Sequence, residues 1–99
     1  MSFDRLIREE ARLIILKALA EQVDGRLNSA LLVDWIKTFG IACDRPFVHA
    51  EFQHLANVGA IVVTKVGSVE VAGLTERGRK HLDRAIALDG VKRPSLPEV

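Results

Sequence analysis

The side chains best suited to chemistry in this sequence lie on one predicted helix, which begins at Arg45 and ends before Gly59. Apolar residues recur there at the spacing of a single buried helix face, namely at Val48, Phe52 and Leu55. The opposite face is short and polar and carries Pro46, His49, Ala50, Gln53 and Asn57. Glutamine and asparagine amides can read adenine by paired hydrogen bonds, each pair giving ~1–3 kcal/mol of base discrimination. This face is therefore either a base-reading surface or an ordinary solvated helix face.

Two sets of residues are candidates for contacts with double-stranded DNA. The candidates for base contacts are Arg45, His49, Gln53 and Asn57. The candidates for phosphate contacts are Lys65, Arg77, Arg79, Lys80 and Arg84. The last four form the most basic segment of the chain, which equally suits an acidic protein surface or a solvated charged face. The net charge of +1 is low for a DNA-binding domain, so binding would depend on a local patch or on dimerisation.

Other kinds of site have little support in the sequence. His49, His54, Cys43 and Glu51 lack any recognised metal-ligand spacing, and the single cysteine has no CxxC partner. There is no nucleophile motif, no glycine-rich phosphate loop and no recognisable carboxylate pair. Asp24, Glu51 and Asp83 are interpreted as surface charges. We therefore expect no catalytic residue, no metal and no cofactor, and a protein that is not an enzyme.

Length and composition predict one soluble domain. The chain has 99 residues, of which 48% are hydrophobic and 27% charged, and its aromatic content of 5% implies an aliphatic core. No apolar run approaches the ~20 residues that a membrane span requires. The charged N-terminus does not resemble a secretory signal, so we expect a cytoplasmic protein.

Periodicity and capping residues predict the elements that position the polar face. A first helix runs to about Gln22 and has more apolar positions than one stripe requires, which predicts a second covered side. The cover is either the C-terminal helix of the same chain or a second subunit, and we favour a homodimer through the terminal helices. A second helix runs from Ser29 to Phe39, is capped by Asn28 and ends at Gly40. Its predicted inward face consists of Leu32, Trp35, Ile36 and Phe39.

A β-hairpin and a last helix follow the polar helix. Gly67-Ser68 is a favoured two-residue turn, which places Val66 opposite Val69, Lys65 opposite Glu70 and Val63 opposite Ala72. Thr75 caps the last helix, whose predicted apolar stripe is Leu82, Ala85, Ile86 and Leu88. We expect residues 1–90 to form the domain and residues 91–99 a flexible tail. Because the hairpin valines cannot all face the core, some remain exposed as a candidate protein contact: Val62, Val66, Val69 and Val71.

The order of three helices, a β-hairpin and a fourth helix, together with the segment LTERG at 74–78, resembles the winged helix-turn-helix superfamily of bacterial regulators. The resemblance covers nearly the whole chain and implies a mainly α fold with a small hairpin (α+β). More narrowly, MSFDRLIREEARLIILKALAEQ and LDGVKRP look like a family of small proteins of Mu-like prophages that has no assigned activity. In DNA-binding members of the superfamily the third helix lies in the major groove. Those members usually carry more basic residues on this helix and in the hairpin.

These observations favour two functions from different classes. The first is a dimeric winged-helix DNA-binding protein, a phage-encoded transcriptional regulator. The alternative is a protein-interaction module or adaptor in phage assembly, which would use the first helix and the valine-rich hairpin.

Overall fold

The computed structural model describes residues 3–96. Its elements, in chain order, are α1 (Phe3–Ala20), β1 (Arg26–Asn28), α2 (Ser29–Lys37), α3 (Arg45–Asn57), β2 (Ile61–Val66), β3 (Val69–Leu74) and α4 (Glu76–Leu82). Within these residues four helices pack with a three-stranded antiparallel sheet. The predicted α+β class is confirmed.

Side-chain oxygens begin three of the helices where the sequence predicts them. Asn28 accepts a hydrogen bond from the backbone N–H of Leu31 at 2.9 Å, and Thr75 accepts one from Gly78 at 3.1 Å. At the start of α3, Asp44 accepts from the N–H of Phe47 at 2.9 Å. These oxygens replace the carbonyl partners that the first turn of any helix lacks, which fixes where each helix starts.

The hairpin has the predicted register, with Val66 paired to Val69 and Lys65 to Glu70. Gly67 has a φ of +62°, a left-handed conformation that this tight turn needs and that glycine adopts at little cost. The strand β1 was not predicted, because three residues are too few to show the alternation typical of a strand. It pairs with β3 and completes a sheet of order β1-β3-β2.

The prediction that Trp35 and Phe39 face the core is wrong. Their side chains are 45% and 53% exposed, and the two rings pack edge to face with centroids 5.4 Å apart. The helix α2 has only nine residues and directs a single row, Leu32 and Ile36, into the core. Trp35 precedes Ile36 by one residue and is therefore rotated by about 100° toward solvent.

The helix α4 is shorter than predicted, because it ends at Leu82 rather than continuing through Leu88. Arg84 has a φ of +63°, and this left-handed residue turns the chain out of the helical path. Leu88 still reaches the core, with 4% exposure, but it does so from a loop. The apolar spacing thus identified a buried residue and assigned it to the wrong element.

Residues 91–94 lie against the domain instead of extending from it, which differs from the predicted boundary at residue 90, whereas Ser95 and Leu96 are exposed. Val91 is 6% exposed and belongs to the core, and the backbone N–H of Lys92 donates to the Glu9 carbonyl at 3.2 Å. Buried His81 fixes this segment from α4: Nδ1 accepts from the N–H of Leu88 at 3.0 Å, and Nε2 lies 2.9 Å from the carbonyl oxygen of Lys92. The predicted tail residues 97–99 lie outside the described residues.

The long helix α1 forms the centre of the domain. It contacts α3, α4 and the sheet, and it buries Ala11, Leu13, Ile14, Ile15, Leu16, Ala18 and Leu19. Most of the apolar surface that suggested a second covered side is therefore buried within one chain. Only its first two turns expose large apolar side chains, at Phe3, Leu6 and Ile7.

Candidate nucleic-acid interface

One face of α3 is open to solvent along its whole length. Its exposed side chains follow the helical spacing of 4, 3 and 4 residues and are Pro46, Ala50, Gln53 and Asn57. The opposite face packs Val48, Phe52 and Leu55 into the core, each with no exposed surface. The predicted division of this helix into a buried apolar face and an accessible polar one is confirmed.

Gln53 and Asn57 form a coupled pair on the open face. The Gln53 amide nitrogen donates to the Asn57 side-chain oxygen at 3.0 Å. This bond leaves the Gln53 oxygen as an acceptor and the Asn57 amide nitrogen as a donor. The pair thus offers the donor and acceptor groups that contact with an adenine edge requires.

Arg45 connects the start of α3 to the hairpin turn. One of its terminal nitrogens donates to the Ser68 hydroxyl at 2.9 Å and to the Ser68 carbonyl at 3.3 Å. A guanidinium has five N–H groups, so this exposed side chain retains donors for another partner. The contact holds the tip of the hairpin beside the first turn of α3, where the polar face begins.

His49 lies at the side of the open face and is half-buried. Its Nε2 is 2.8 Å from the hydroxyl oxygen of Ser29, which also accepts the backbone N–H of Glu70 at 3.0 Å. Its Nδ1 is 3.8 Å from a Glu70 carboxylate oxygen. Of the four predicted base-contact residues, His49 is thus the one that is half-buried, whereas Arg45, Gln53 and Asn57 are exposed. Local sequence patterns do not indicate Ser29 and Glu70 as partners of His49, because they are about twenty residues away in either direction.

Serine, histidine and glutamate are also the residue types of a hydrolytic triad. Here the hydroxyl of Ser29 is enclosed, since the residue has no exposed surface, and it accepts a backbone N–H. A nucleophile must reach a substrate carbon, which an enclosed hydroxyl does not do. The cluster instead links α2, α3 and β3, and thereby fixes the base of the hairpin against α3.

The five candidate phosphate-binding cations separate into two groups. Arg77 donates from Nε to the Val58 carbonyl at 2.9 Å and so closes the end of α3, while Arg84 donates to the Pro94 carbonyl. Lys65, Arg79 and Lys80 are exposed. Lys65 faces Glu70 across the strand pair, as its predicted register requires. Cationic groups therefore lie at both ends of α3, with Arg45 at its start and Arg77 at its end.

Glu51 is not the surface charge that the sequence suggested. It is 1% exposed and accepts from Arg8 at 2.5 Å and from Arg12 at 2.6 Å. Arg12 also donates to the Gly90 carbonyl at 2.7 Å. The hydrogen bond to Asp4 is the largest cause that raises the pKa of Arg8, and the attraction of Glu51 raises it further. Partial burial acts in the opposite direction but does not cancel these effects, so Arg8 stays protonated. These bonds fix the inward side of α3 to α1.

The outer face of the hairpin is apolar and partly open. Val62 and Val66 on the edge strand β2 are 64% and 57% exposed, whereas Val69 and Val71 are half-buried. A shallow cleft of about 310 Å³ lies on this face and is lined in part by Val62, Thr64 and Val71. The prediction that some hairpin valines remain exposed is confirmed.

The lone cysteine lies near the start of α3 without forming a ligand set. Its sulfur is 3.4 Å from the Val33 carbonyl, and burial raises the pKa of the Cys43 thiol, so it stays protonated near neutral pH. Among residues 3–96, no three His, Cys, Asp or Glu side chains are grouped so that they could hold a metal ion.

Comparisons of this chain with protein-family models, with curated proteins and with solved structures found no match. In the described part of the chain, no helix combines the length and apolar character needed to cross a membrane.

Proposed function

We propose that this chain is a winged-helix DNA-binding protein that inserts α3 into the major groove. The observation that carries the proposal is the open polar face of α3, with the hairpin turn attached beside its first residue through Arg45 and Ser68. Helix-turn-helix proteins present their second helix in this way, although their turn has about 3–4 residues and the connection between α2 and α3 here comprises residues 38–44. The order of three helices, a β-hairpin and a fourth helix, on which the resemblance to winged-helix proteins depends, supports the proposal.

In this proposal Gln53 and Asn57 read bases, and Arg45 supplies further donors at the start of the helix. The mutual hydrogen bond between the two amides limits their rotation before binding, which reduces the entropy lost on contact. A coupled donor and acceptor favour an adenine on the contacted strand. His49 would act through the hydroxyl of Ser29 by keeping the hairpin against α3, and not through a base.

Backbone contact would be modest. Lys65, Arg79 and Lys80 are exposed, and Arg45 keeps free donors, so we expect about three to four neutralised phosphates per chain. The resemblance to small Mu-like prophage proteins is the reason for proposing a phage-encoded regulator that acts in the bacterial cytoplasm.

The test is binding to a fluorescent duplex, titrated with salt from low to physiological concentration. About three to four phosphate contacts predict a slope of about −2.7 to −3.6 in log affinity against log salt. Preferred sequences are then selected from random duplexes with the native protein. Replacement of Gln53 and Asn57 by alanine should flatten that preference by about tenfold or more at one or two positions, since a bidentate contact gives ~1–3 kcal/mol.

The matched control is Gln22→Ala, which removes an exposed amide from the turn after α1. This variant should retain both the salt slope and the sequence preference. Absence of duplex binding at low salt, or an unchanged preference in the Gln53/Asn57 double variant, would count against DNA recognition by α3.

A protein-interaction module is the second candidate, and the exposed valines of β2 favour it. Edge strands with apolar side chains are templates for pairing with another chain. A photo-cross-linking residue at position 62 and another at position 53 distinguish the two functions. Cross-links from position 53 to DNA support the regulator. Cross-links from position 62 to one protein, with none from position 53 to DNA, support the adaptor.

A further inference from the structure

The first two turns of α1 present apolar side chains that the other residues among 3–96 leave exposed. Phe3, Leu6 and Ile7 are 81%, 45% and 38% exposed. Together with Phe39 and Ile41 they line an open cleft of about 440 Å³. Exposed aliphatic and aromatic side chains grouped on one helix are typical of an interface with another chain.

The same side of α1 carries a regular stripe along the whole helix. It follows alternating spacings of four and three residues and comprises Phe3, Ile7, Glu10, Ile14 and Lys17, and it continues to Glu21 in the following turn; within each chain Ile14 is buried in the core, so the accessible members are the others. This is the spacing of a two-helix seam. The stripe changes from apolar at its start to charged further along, with an acid at Glu10 and a base two turns later at Lys17.

This charge order makes the stripe complementary to itself in one orientation. In an antiparallel pair of α1 helices, Glu10 of each copy meets Lys17 of the other, and a two-fold axis passes beside Leu13 and Ile14. In a parallel pair Glu10 would meet Glu10 and Lys17 would meet Lys17, which is repulsive. Glu10 already accepts from Lys92 at 2.8 Å, and a carboxylate with two oxygens can accept from a second lysine.

The antiparallel alignment also accounts for other exposed apolar side chains. It places Phe3 of one copy level with Asp24 of the other and next to Val23, which lies fully exposed in the turn after α1. A two-fold axis perpendicular to the helices sets both α2 helices on the same side of the seam. Trp35 and Phe39, which line the neighbouring groove along α1, then flank the pair on that side.

From these observations we propose that two copies of this chain pair through antiparallel α1 helices, with reciprocal Glu10–Lys17 contacts and flanking aromatic residues from α2. This inference does not depend on DNA binding. It specifies the occupant of the exposed α1 surface as a second copy, because the surface is complementary to itself in charge.

Sedimentation velocity over a concentration series tests the proposal, with the emission of Trp35 as a second readout. Trp35 is the only tryptophan in the chain, and its emission should shift to shorter wavelength as the pair forms and covers it. The variants Glu10→Lys and Lys17→Glu should each raise the dimer dissociation constant by about tenfold or more, because each creates two like-charge contacts.

The decisive experiment is an equimolar mixture of the Glu10→Lys and Lys17→Glu variants. In the mixed pair every 10–17 contact again joins opposite charges, so dimerisation should return to within about threefold of the native value. The control is Arg5→Glu, a single charge reversal on α1 outside the stripe, which should leave the dissociation constant unchanged. Circular dichroism confirms that each variant is folded.

Three results would overturn the proposal. They are a native protein that stays monomeric at high concentration, single variants that dimerise as well as Arg5→Glu, and a mixture that recovers no affinity. If the native protein dimerises but the mixture of Glu10→Lys and Lys17→Glu recovers no affinity, the dimer uses another surface or a parallel seam.

Discussion

The two faces of α3 hold their polar side chains in opposite ways. On the inward face, Glu51 is 1% exposed and both its oxygens accept from arginines of α1. On the outward face, Gln53 and Asn57 are exposed and hydrogen bond to each other. A helix that is fixed on one side and open on the other is the kind of platform that the proposed sequence recognition requires.

The difference has an energetic origin. A buried carboxylate loses its hydration, which is compensated only if charged partners and hydrogen bonds replace the water. In the described part of the chain, every buried side-chain nitrogen and oxygen has such a partner. An exposed amide remains hydrated and loses little when its neighbour is removed. Substitutions on the two faces should therefore have very different effects on stability.

The largest effect is expected for Glu51→Ala. Removing the carboxylate leaves Arg12, whose side chain is 13% exposed, without its buried counter-charge, whereas Arg8 can turn toward water. We expect the free energy of unfolding to fall by about 3 kcal/mol, the lower end of the range for breaking a buried ion pair. Urea unfolding followed by circular dichroism measures the change.

Asp4→Ala is the matched control, because Asp4 also pairs with Arg8 but is 70% exposed. Its effect should be below about 0.5 kcal/mol. Equal effects of the two substitutions would remove the distinction between the closed and the open face of α3.

The next largest effect is expected for His81→Ala. The carbonyl of Lys92 can only accept, so Nε2 carries the ring proton, and Nδ1 accepts from Leu88. Alanine leaves both backbone groups unpaired and opens a void, at a cost of about 2–3 kcal/mol. Amide hydrogen exchange at Leu88 should accelerate with the loss of stability. The control is Lys80→Ala at the neighbouring exposed residue, which should alter neither the unfolding free energy nor the amide exchange rate of Leu88.

The features that the sequence predicted correctly are local ones. The register of the hairpin depends on Gly67-Ser68, and the starts of the helices depend on Asn28, Asp44 and Thr75, which act within three residues. The division of α3 into two faces depends on helical period alone. Each of these features could be derived without knowing what lies across the chain.

The features that were missed depend on distant partners. Glu51 was interpreted as a surface charge because Arg8 and Arg12 are about forty residues away in the sequence. Helical spacing predicts that Trp35 faces the core together with Leu32 and Ile36, although a nine-residue helix offers the core only one row. Arg84 ended α4 in a left-handed turn that no glycine indicated. The surroundings of these residues in the folded chain, and not the local sequence pattern, determine which side chains are buried and where α4 ends.

Gly78→Ala tests the packing that holds the other end of α3. A Cβ at this position would lie 2.4 Å from the carbonyl oxygen of Ala60, just beyond the end of α3, so α4 would have to move. The higher helix propensity of alanine offsets part of the strain, and we expect a net loss of about 1–2 kcal/mol. Arg79→Ala, one residue further on and exposed, should change the unfolding free energy by less than about 0.5 kcal/mol. A stability equal to that of the native protein would mean that α4 adapts freely, and that its contact does not fix the end of α3.

The smallest effect on stability is expected for the Gln53→Ala, Asn57→Ala double variant, although it removes the amide pair proposed to read bases. Both side chains are solvated in the folded and the unfolded chain, and alanine is the better helix former, so the unfolding free energy should stay within about 0.5 kcal/mol of native. Thermal unfolding should therefore give nearly equal midpoints for this variant and the native protein. A loss approaching that of Glu51→Ala would show that the outward amides support the fold, and the distinction between the two faces of α3 would then fail. A native-like midpoint combined with an altered sequence preference would assign these amides to recognition alone.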